Sequence, residues 1–235
     1  MHDWKQAHRE VIFSFLRYLN EASGCYVLKG GTALLSCYGL DRFSEDIDLD
    51  GQSPEIVQIV EDFCVREGYT CRVAKDTDTV RRCMIHYGSV GKPLKVEVSY
   101  RRREIPADET AVVNGILVYR IEPLCIMKAN AYAGRDKIRD LYDLTFICNH
   151  FFDELSPQAV ALVRSALEFK GIEQFDYITR EQSDELVDTS KLAGDFLELF
   201  DRLGLLYDSE EKSLMQAAEN RDQKPAAKKK DSRER

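Results

Sequence analysis

The sequence predicts a mixed α/β (α+β) chain in which a strand-and-helix half runs to about residue 120 and a helical half follows. Three observations carry this. The apolar segment 25–28 runs straight into Lys29-Gly30-Gly31-Thr32, so a strand meets a helix across two glycines. Segment 44–50 alternates acidic and apolar residues, as a half-buried strand does. After Pro123 the apolar residues take up helical spacing and keep it.

In chain order, Val11, Ile12, Phe13, Phe15, Leu16 and Leu19 have helical spacing, with Gly24 placed where that helix ends. Residues 25–28 form the short strand, and residues 33–38 a helix that starts just after the glycines. A strand at 44–50 and an amphipathic helix at 55–67, stopped by Gly68, come next. Residues 80–87, 94–100 and 116–119 read as further strands. Residues 124–150 read as one long helical stretch, interruptible at Gly134, with helices at 157–169 and 184–205 beyond it. The expected organisation is a core over 1–120, a helical domain over 121–220 that completes the site, and a disordered basic tail over 221–235.

Composition excludes several classes. Apolar residues make up 44% and charged residues 31%, the balance of a chain with a real core. No apolar stretch approaches the ~20 residues that cross a bilayer, and the first ten residues are polar, which predicts a cytoplasmic protein with no membrane partner. The seven cysteines are scattered and form no C-x-x-C pair, so neither a zinc ribbon nor a disulfide framework is expected. A net charge of −8 argues against a broad nucleic-acid-coating surface. Residues 221–235 are the exception: seven Lys/Arg against three Asp/Glu, a local +4 that leaves −12 on the rest. That tail is either a solvated end or a weak phosphate-steering arm.

Four groups of residues carry candidate chemistry. Gly30 and Gly31 let the backbone turn tightly with bare N–H groups at a helix start, a natural seat for phosphate. In a strand, Asp46 and Asp48 project to one face while Ile47 and Leu49 face the core. Two like charges side by side repel unless a cation sits between them, and hard oxygen donors suit Mg²⁺, with Mn²⁺ as a substitute. The bland alternative is an exposed acidic strand edge. In 94–100, Lys95, Glu97 and Ser99 share the face opposite Leu94, Val96, Val98 and Tyr100, which makes Glu97 either a further carboxylate of the site or an exposed partner of Lys95 or Arg101. On a continuous helix Lys128, Arg135, Arg139 and Asp143 fall within about one quarter of the circumference, with Asp140 to one side. They form either a cradle for a triphosphate or a decorated solvent face.

The string Leu28-Lys29-Gly30-Gly31-Thr32-Ala33-Leu34, followed by Arg42-Phe43-Ser44-Glu45-Asp46-Ile47-Asp48-Leu49, resembles the AbiEii nucleotidyltransferase toxins. Lys128 followed by Arg139-Asp140-Leu141-Tyr142-Asp143-Leu144 resembles that family's second signature, and the likeness spans residues 25 to about 148. The resemblance implies a polymerase-β-like nucleotidyltransferase sheet with flanking helices and a helical C-terminal half. It implies a metal held by Asp46, Asp48 and Glu97, with Glu97 as ligand or as base for the attacking hydroxyl. It implies nucleotide contacts from Lys29, Gly30, Gly31, Thr32, Ser44 and Arg139, and active-site roles for Lys128 and Asp143. The implied reaction moves a nucleoside monophosphate from an NTP to an RNA, with the 3′ end of tRNA as candidate acceptor, and the implied partner is a separately encoded antitoxin. A small-molecule nucleotidyltransferase and an inactive nucleotide-binding regulator remain the alternatives.

Overall fold

A computed structural model describes residues 4–88 and 92–206; the expected basic tail over 221–235 lies outside the described residues. Helix α1 (Trp4–Ala22) buries Val11, Ile12, Phe15, Leu16 and Leu19 at the spacing seen in the sequence. Strand β1 (Tyr26–Lys29) passes into α2 (Gly30–Cys37), which starts at the glycines themselves rather than after them. Then come β2 (Asp46–Gly51), α3 (Ile56–Glu67), β3 (Thr70–Thr77), β4 (Val80–His86), β5 (Leu94–Ser99), β6 (Thr110–Val113) and β7 (Ile116–Tyr119). Strands β3 and β6 add to the strands read from sequence.

The seven strands form one mixed sheet in the order β3-β4-β5-β2-β1-β7-β6. β2 runs antiparallel to β1 and parallel to β5, and β1 runs parallel to β7. Register decides what meets at the centre: Asp46 lies opposite Lys95, Asp48 opposite Glu97, and Lys29 opposite Asp48. The period of two then sends Ile47, Leu49, Val96 and Val98 to the other face, where all four are buried. That burial contributes roughly 1.5–3 kcal/mol per side chain and fixes the register, since a one-residue slip would exchange the two faces. Helices α1 and α3 pack on each other and on the sheet, with Phe15 and Phe63 edge to face at 5.2 Å.

The helical half corrects the sequence reading. The stretch 124–150 is two helices, α4 (Ile121–Gly134) and α5 (Ile138–Phe151), separated by a turn in which Arg135 is extended (φ −156, ψ 155). The single arc of Lys128, Arg135, Arg139 and Asp143 on one helix face is therefore wrong. Glycine is a poor helix former, and Gly134 closes α4 here. Helix α6 (Pro157–Glu181) continues beyond Phe169 through a break at Gly171. Helix α7 starts at Thr189 (Thr189–Arg202), because Asp188 caps it by accepting from the amides of Ser190 and Lys191. α4 packs on α5 and α6, and α5 on α7. The loop between α2 and β2 ties the two halves together: Tyr142 donates to Asp41 at 2.9 Å, and Arg42 pairs with Asp143. No helix among the described residues is long and apolar enough to cross a membrane.

Candidate active site

A cleft of about 970 Å³ opens between the acidic face of the sheet and the α4–α5 turn. Ser44, Glu45, Asp46, Asp48, Lys95 and Glu97 line it from the sheet side. Lys128, Arg135, Lys137, Arg139 and Asp140 line it from the helices, and residues 181–184 form its rim. Gly31 reaches it from the start of α2.

The two glycines let that wall close. Gly30 has φ +75, which few side-chain-bearing residues adopt, and a Cβ there would lie 3.3 Å from Asp48 Oδ2. A Cβ on Gly31 would lie 2.7 Å from Arg42 Nη2 and 2.9 Å from Ser44 Oγ, closer than such contacts allow. The Gly-Gly turn thus admits the Asp48 carboxylate on one side and the Arg42 guanidinium on the other.

Arg42 is the residue that the sequence reading passed over. It is buried, as is Asp143, and its Nε and Nη2 donate to the two Asp143 oxygens at 2.7 Å each. Nη1 donates to the Phe43 carbonyl at 3.0 Å. Lys128 Nζ completes the group, 2.7 Å from Asp143 Oδ2 and 3.1 Å from Asp140 Oδ1. Both oxygens of Asp143 are therefore taken by cations, an arrangement suited to positioning Lys128 and Arg42 rather than to direct metal ligation. Lys128 and Asp143 meet, as the second signature implies, but across two helices. With Asp41, Glu45 and Asp46 all close by in the sequence, no local signal singled out Arg42 or pointed to Asp143 as its partner.

Asp140 receives Arg135 Nε at 2.6 Å as well as Lys128. Burial pushes its carboxyl up, but the Arg135 hydrogen bond and the Lys128 charge outweigh this and hold it below the usual carboxylate range. Arg139 is gripped by Asp184, with Nη2 3.1 Å from Oδ1, and lies 3.6 Å from Glu45. Asp184, outside any motif, was not legible as a site residue.

On the sheet side, Lys95 Nζ is 2.8 Å from Asp46 Oδ2, and Arg82 donates to Glu97 at 2.5 Å. Glu97's partner is thus Arg82, not Lys95 or Arg101. Burial raises the Asp48 carboxyl above its ordinary value; the Asp46 and Glu97 charges add to this, while Lys95 and Lys29 oppose it.

Two of the expected nucleotide contacts, Lys29 and Thr32, are engaged in bonds of their own. Lys29 pairs with Asp50 at 2.5 Å, and Asp50 also accepts from Tyr119 at 2.9 Å. Thr32 is buried and bonds the Asp46 carbonyl and, at 2.9 Å, Ser44 Oγ, which ties α2 to β2. Lys29, Gly30 and Thr32 are not among the cleft-lining residues, whereas Gly31, Ser44 and Arg139 are.

The donor set can be tested against a divalent cation. Among the described residues no three His, Cys, Asp or Glu side chains converge as a ready-made cage. Mg²⁺ commonly binds through one or two carboxylates plus substrate phosphates, so the Asp46–Asp48 pair, with Glu97 beside it in register, fits the ion.

The family model described as nucleotidyl transferase AbiEii toxin, type IV TA system, matches residues 14–220. The chain belongs to this family. AbiEii membership makes it a nucleotidyltransferase from a toxin–antitoxin group, and the mixed sheet with its helical half is the polymerase-β-like fold. Two solved structures are similar over nearly their whole length. JHP933 from Helicobacter pylori is 26% identical with a TM-score of 0.71, covering 92% of this chain and 99% of that one. A candidate nucleotidyltransferase from H. pylori is 27% identical with a TM-score of 0.72, covering 90% and 98%. No curated protein matches the sequence. NTP as donor and an antitoxin as partner follow from AbiEii membership.

Proposed function

We propose that this AbiEii-family enzyme transfers a nucleoside monophosphate from an NTP to an RNA, with the 3′ end of tRNA as the favoured acceptor, in a Mg²⁺-dependent reaction. The observation that carries this reading is the opposition of Asp46, Asp48 and Glu97 on one sheet face to Lys128, Arg135 and Arg139 across the same cleft. Metal-binding oxygens on one wall and fixed cations on the other are what a triphosphate needs at its two ends.

Asp46 and Asp48 would hold the divalent ion, which when bound would supply Lewis acidity at the α-phosphate and charge for the leaving pyrophosphate. The chain's own residues do the rest. Gly31 presents backbone close to the phosphates, because nothing larger fits beside Arg42 and Ser44. Lys128 and Arg139 neutralise the outer phosphates and are aimed by Asp143, Asp140 and Asp184. Glu97, in register with Asp48, serves as a third carboxylate or accepts the proton of the attacking hydroxyl. Asp143 acts by positioning. Residues 1–120 then make the transferase core and 121–220 the helical partner that closes the cleft, in the cytoplasm where NTP, tRNA and antitoxin meet.

The RNA acceptor rests on the family rather than on surface charge. Arg81, Arg82, Lys92, Lys95 and Arg102 are paired with Asp76, Glu97, Glu45, Asp46 and Glu109. The test incubates the full chain with Mg²⁺ and each labelled NTP, alongside either total tRNA or a panel of aminoglycosides. Label in tRNA supports the proposal; label in the small acceptors alone replaces RNA with a small molecule; and label in neither overturns both.

A further inference from the structure

Lys95 stands where a cation is wanted. Strands β2 and β5 run parallel, and their register sets Asp46 opposite Lys95 and Asp48 opposite Glu97. The Lys95 ammonium lies 2.8 Å from Asp46 Oδ2 and within electrostatic reach of Asp48 and Glu97. Glu97 already has Arg82, so Lys95 is the cation that serves the Asp46–Asp48 pair, whose two charges would otherwise repel each other along β2. Its position is also accessible, because the Lys95 side chain is 26% and that of Asp46 45% exposed. A contact this open to water is weak and exchangeable.

We propose that Lys95 is a resident counter-ion of the carboxylate cluster, which a divalent cation must displace from Asp46 in order to bind. This rests on the assignment of the metal to Asp46 and Asp48. The device keeps the carboxylate face neutralised in the metal-free enzyme and makes metal uptake an exchange of one cation for another. The displaced ammonium stays on the same face of β5 as Glu97, inside the cleft, where it can pair with a phosphate oxygen brought in by the nucleotide. Lys95 would then be a specificity-determining residue for the metal, and metal and nucleotide would favour each other's binding through it.

The probe is Mn²⁺ alone, titrated into the full chain and followed by calorimetry and electron paramagnetic resonance, with no nucleotide. Lys95→Met should bind Mn²⁺ roughly 3–10-fold more tightly than wild type, the scale of removing a competing exposed ion pair. Lys95→Gln repeats the test with a polar side chain should the methionine variant fold poorly. Lys137→Met is the charge control: it removes one positive charge from the lining of the same cleft. If Lys95→Met and Lys137→Met tighten Mn²⁺ equally, the effect is the general field of the cleft and the counter-ion proposal is overturned. It is also overturned if Lys95→Met binds like wild type while Asp48→Asn abolishes binding, and in that case the two-aspartate metal site stands. If Asp48→Asn leaves wild-type binding intact, the metal assignment itself fails and takes the proposal with it. Uptake by Lys95→Met where wild type takes up none supports the proposal, and uptake by neither sinks the metal assignment.

Discussion

Replacing Arg42 by methionine tests whether the buried Arg42–Asp143 pair is what joins the two halves of the site. The substitution keeps the aliphatic length but removes three hydrogen bonds, two to Asp143 and one to the Phe43 carbonyl. The two side chains are 4% and 0% exposed, so screening by water offers little relief. Removing one partner of such a pair typically costs about 3–5 kcal/mol, most of it the penalty of a buried charge left alone. Here Lys128 still holds Asp143 Oδ2 at 2.7 Å, which places the expected loss near the lower end, about 3 kcal/mol. For a chain of this size that corresponds to a fall in Tm of roughly 6–12 °C, read by circular dichroism at fixed pH and salt. Arg42→Lys should recover only part of it, since an ammonium cannot make the two-point contact. A methionine variant that melts within about 2 °C of wild type would refute the view that this pair fastens the α2–β2 loop to α5.

The other predictions concern the cleft and its pH response. Asp48→Asn should abolish nucleotidyl transfer while leaving Tm unchanged or slightly higher, because burial and two neighbouring carboxylates already disfavour the Asp48 charge; a large fall in Tm would point to a structural role instead. Lys128→Ala should lower kcat by ~10²-fold with a smaller change in KM, as expected for charge stabilised mainly in the transition state, and steady-state turnover at the wild-type rate would reduce the α4–α5 cations to surface decoration. His8 is buried against Tyr87, with Nε2 2.7 Å from the Glu45 carbonyl, and burial lowers its imidazole below the ordinary 6.5 despite the Glu45 contact. The unfolded chain therefore takes up that proton first: the stability is present above pH ~6.5 and is lost as pH falls from there through the folded value. Thermal scans from pH 8 to 5.5 should show a decline in wild type that flattens in His8→Gln, and identical slopes would contradict this assignment.

How much of the fold the sequence revealed follows from burial. Strands β2 and β5 were legible because each has one face buried and one face polar, so their residues alternate. The two strands that were not read, β3 and β6, are the outermost in the sheet. β3 is exposed along almost its whole length, and Val112 of β6 is 70% exposed. An edge with little to bury leaves no period of two in its sequence. The break between α4 and α5 was visible as Gly134, but its consequence was not. The turn exists to bring Lys128 and Asp143 together from separate helices, a long-range packing result that helical periodicity does not encode. The same holds for Arg42 and Asp184, whose partners lie far away in sequence.

The arrangement also explains how a chain of net charge −8 can offer a seat to a polyanion. Of the cations facing the cleft, Lys128 is held by Asp140 and Asp143, Arg135 by Asp140, and Arg139 by Asp184. The acids that lower the net charge are thus the ones that hold the positive groups in place. A side chain already fixed by such a partner loses less conformational freedom when phosphate arrives than a free lysine on an open surface. Mean charge is therefore a poor guide to this enzyme's substrate. What bears on it is which cations the carboxylates hold on the helix wall, opposite Asp46 and Asp48 on the sheet.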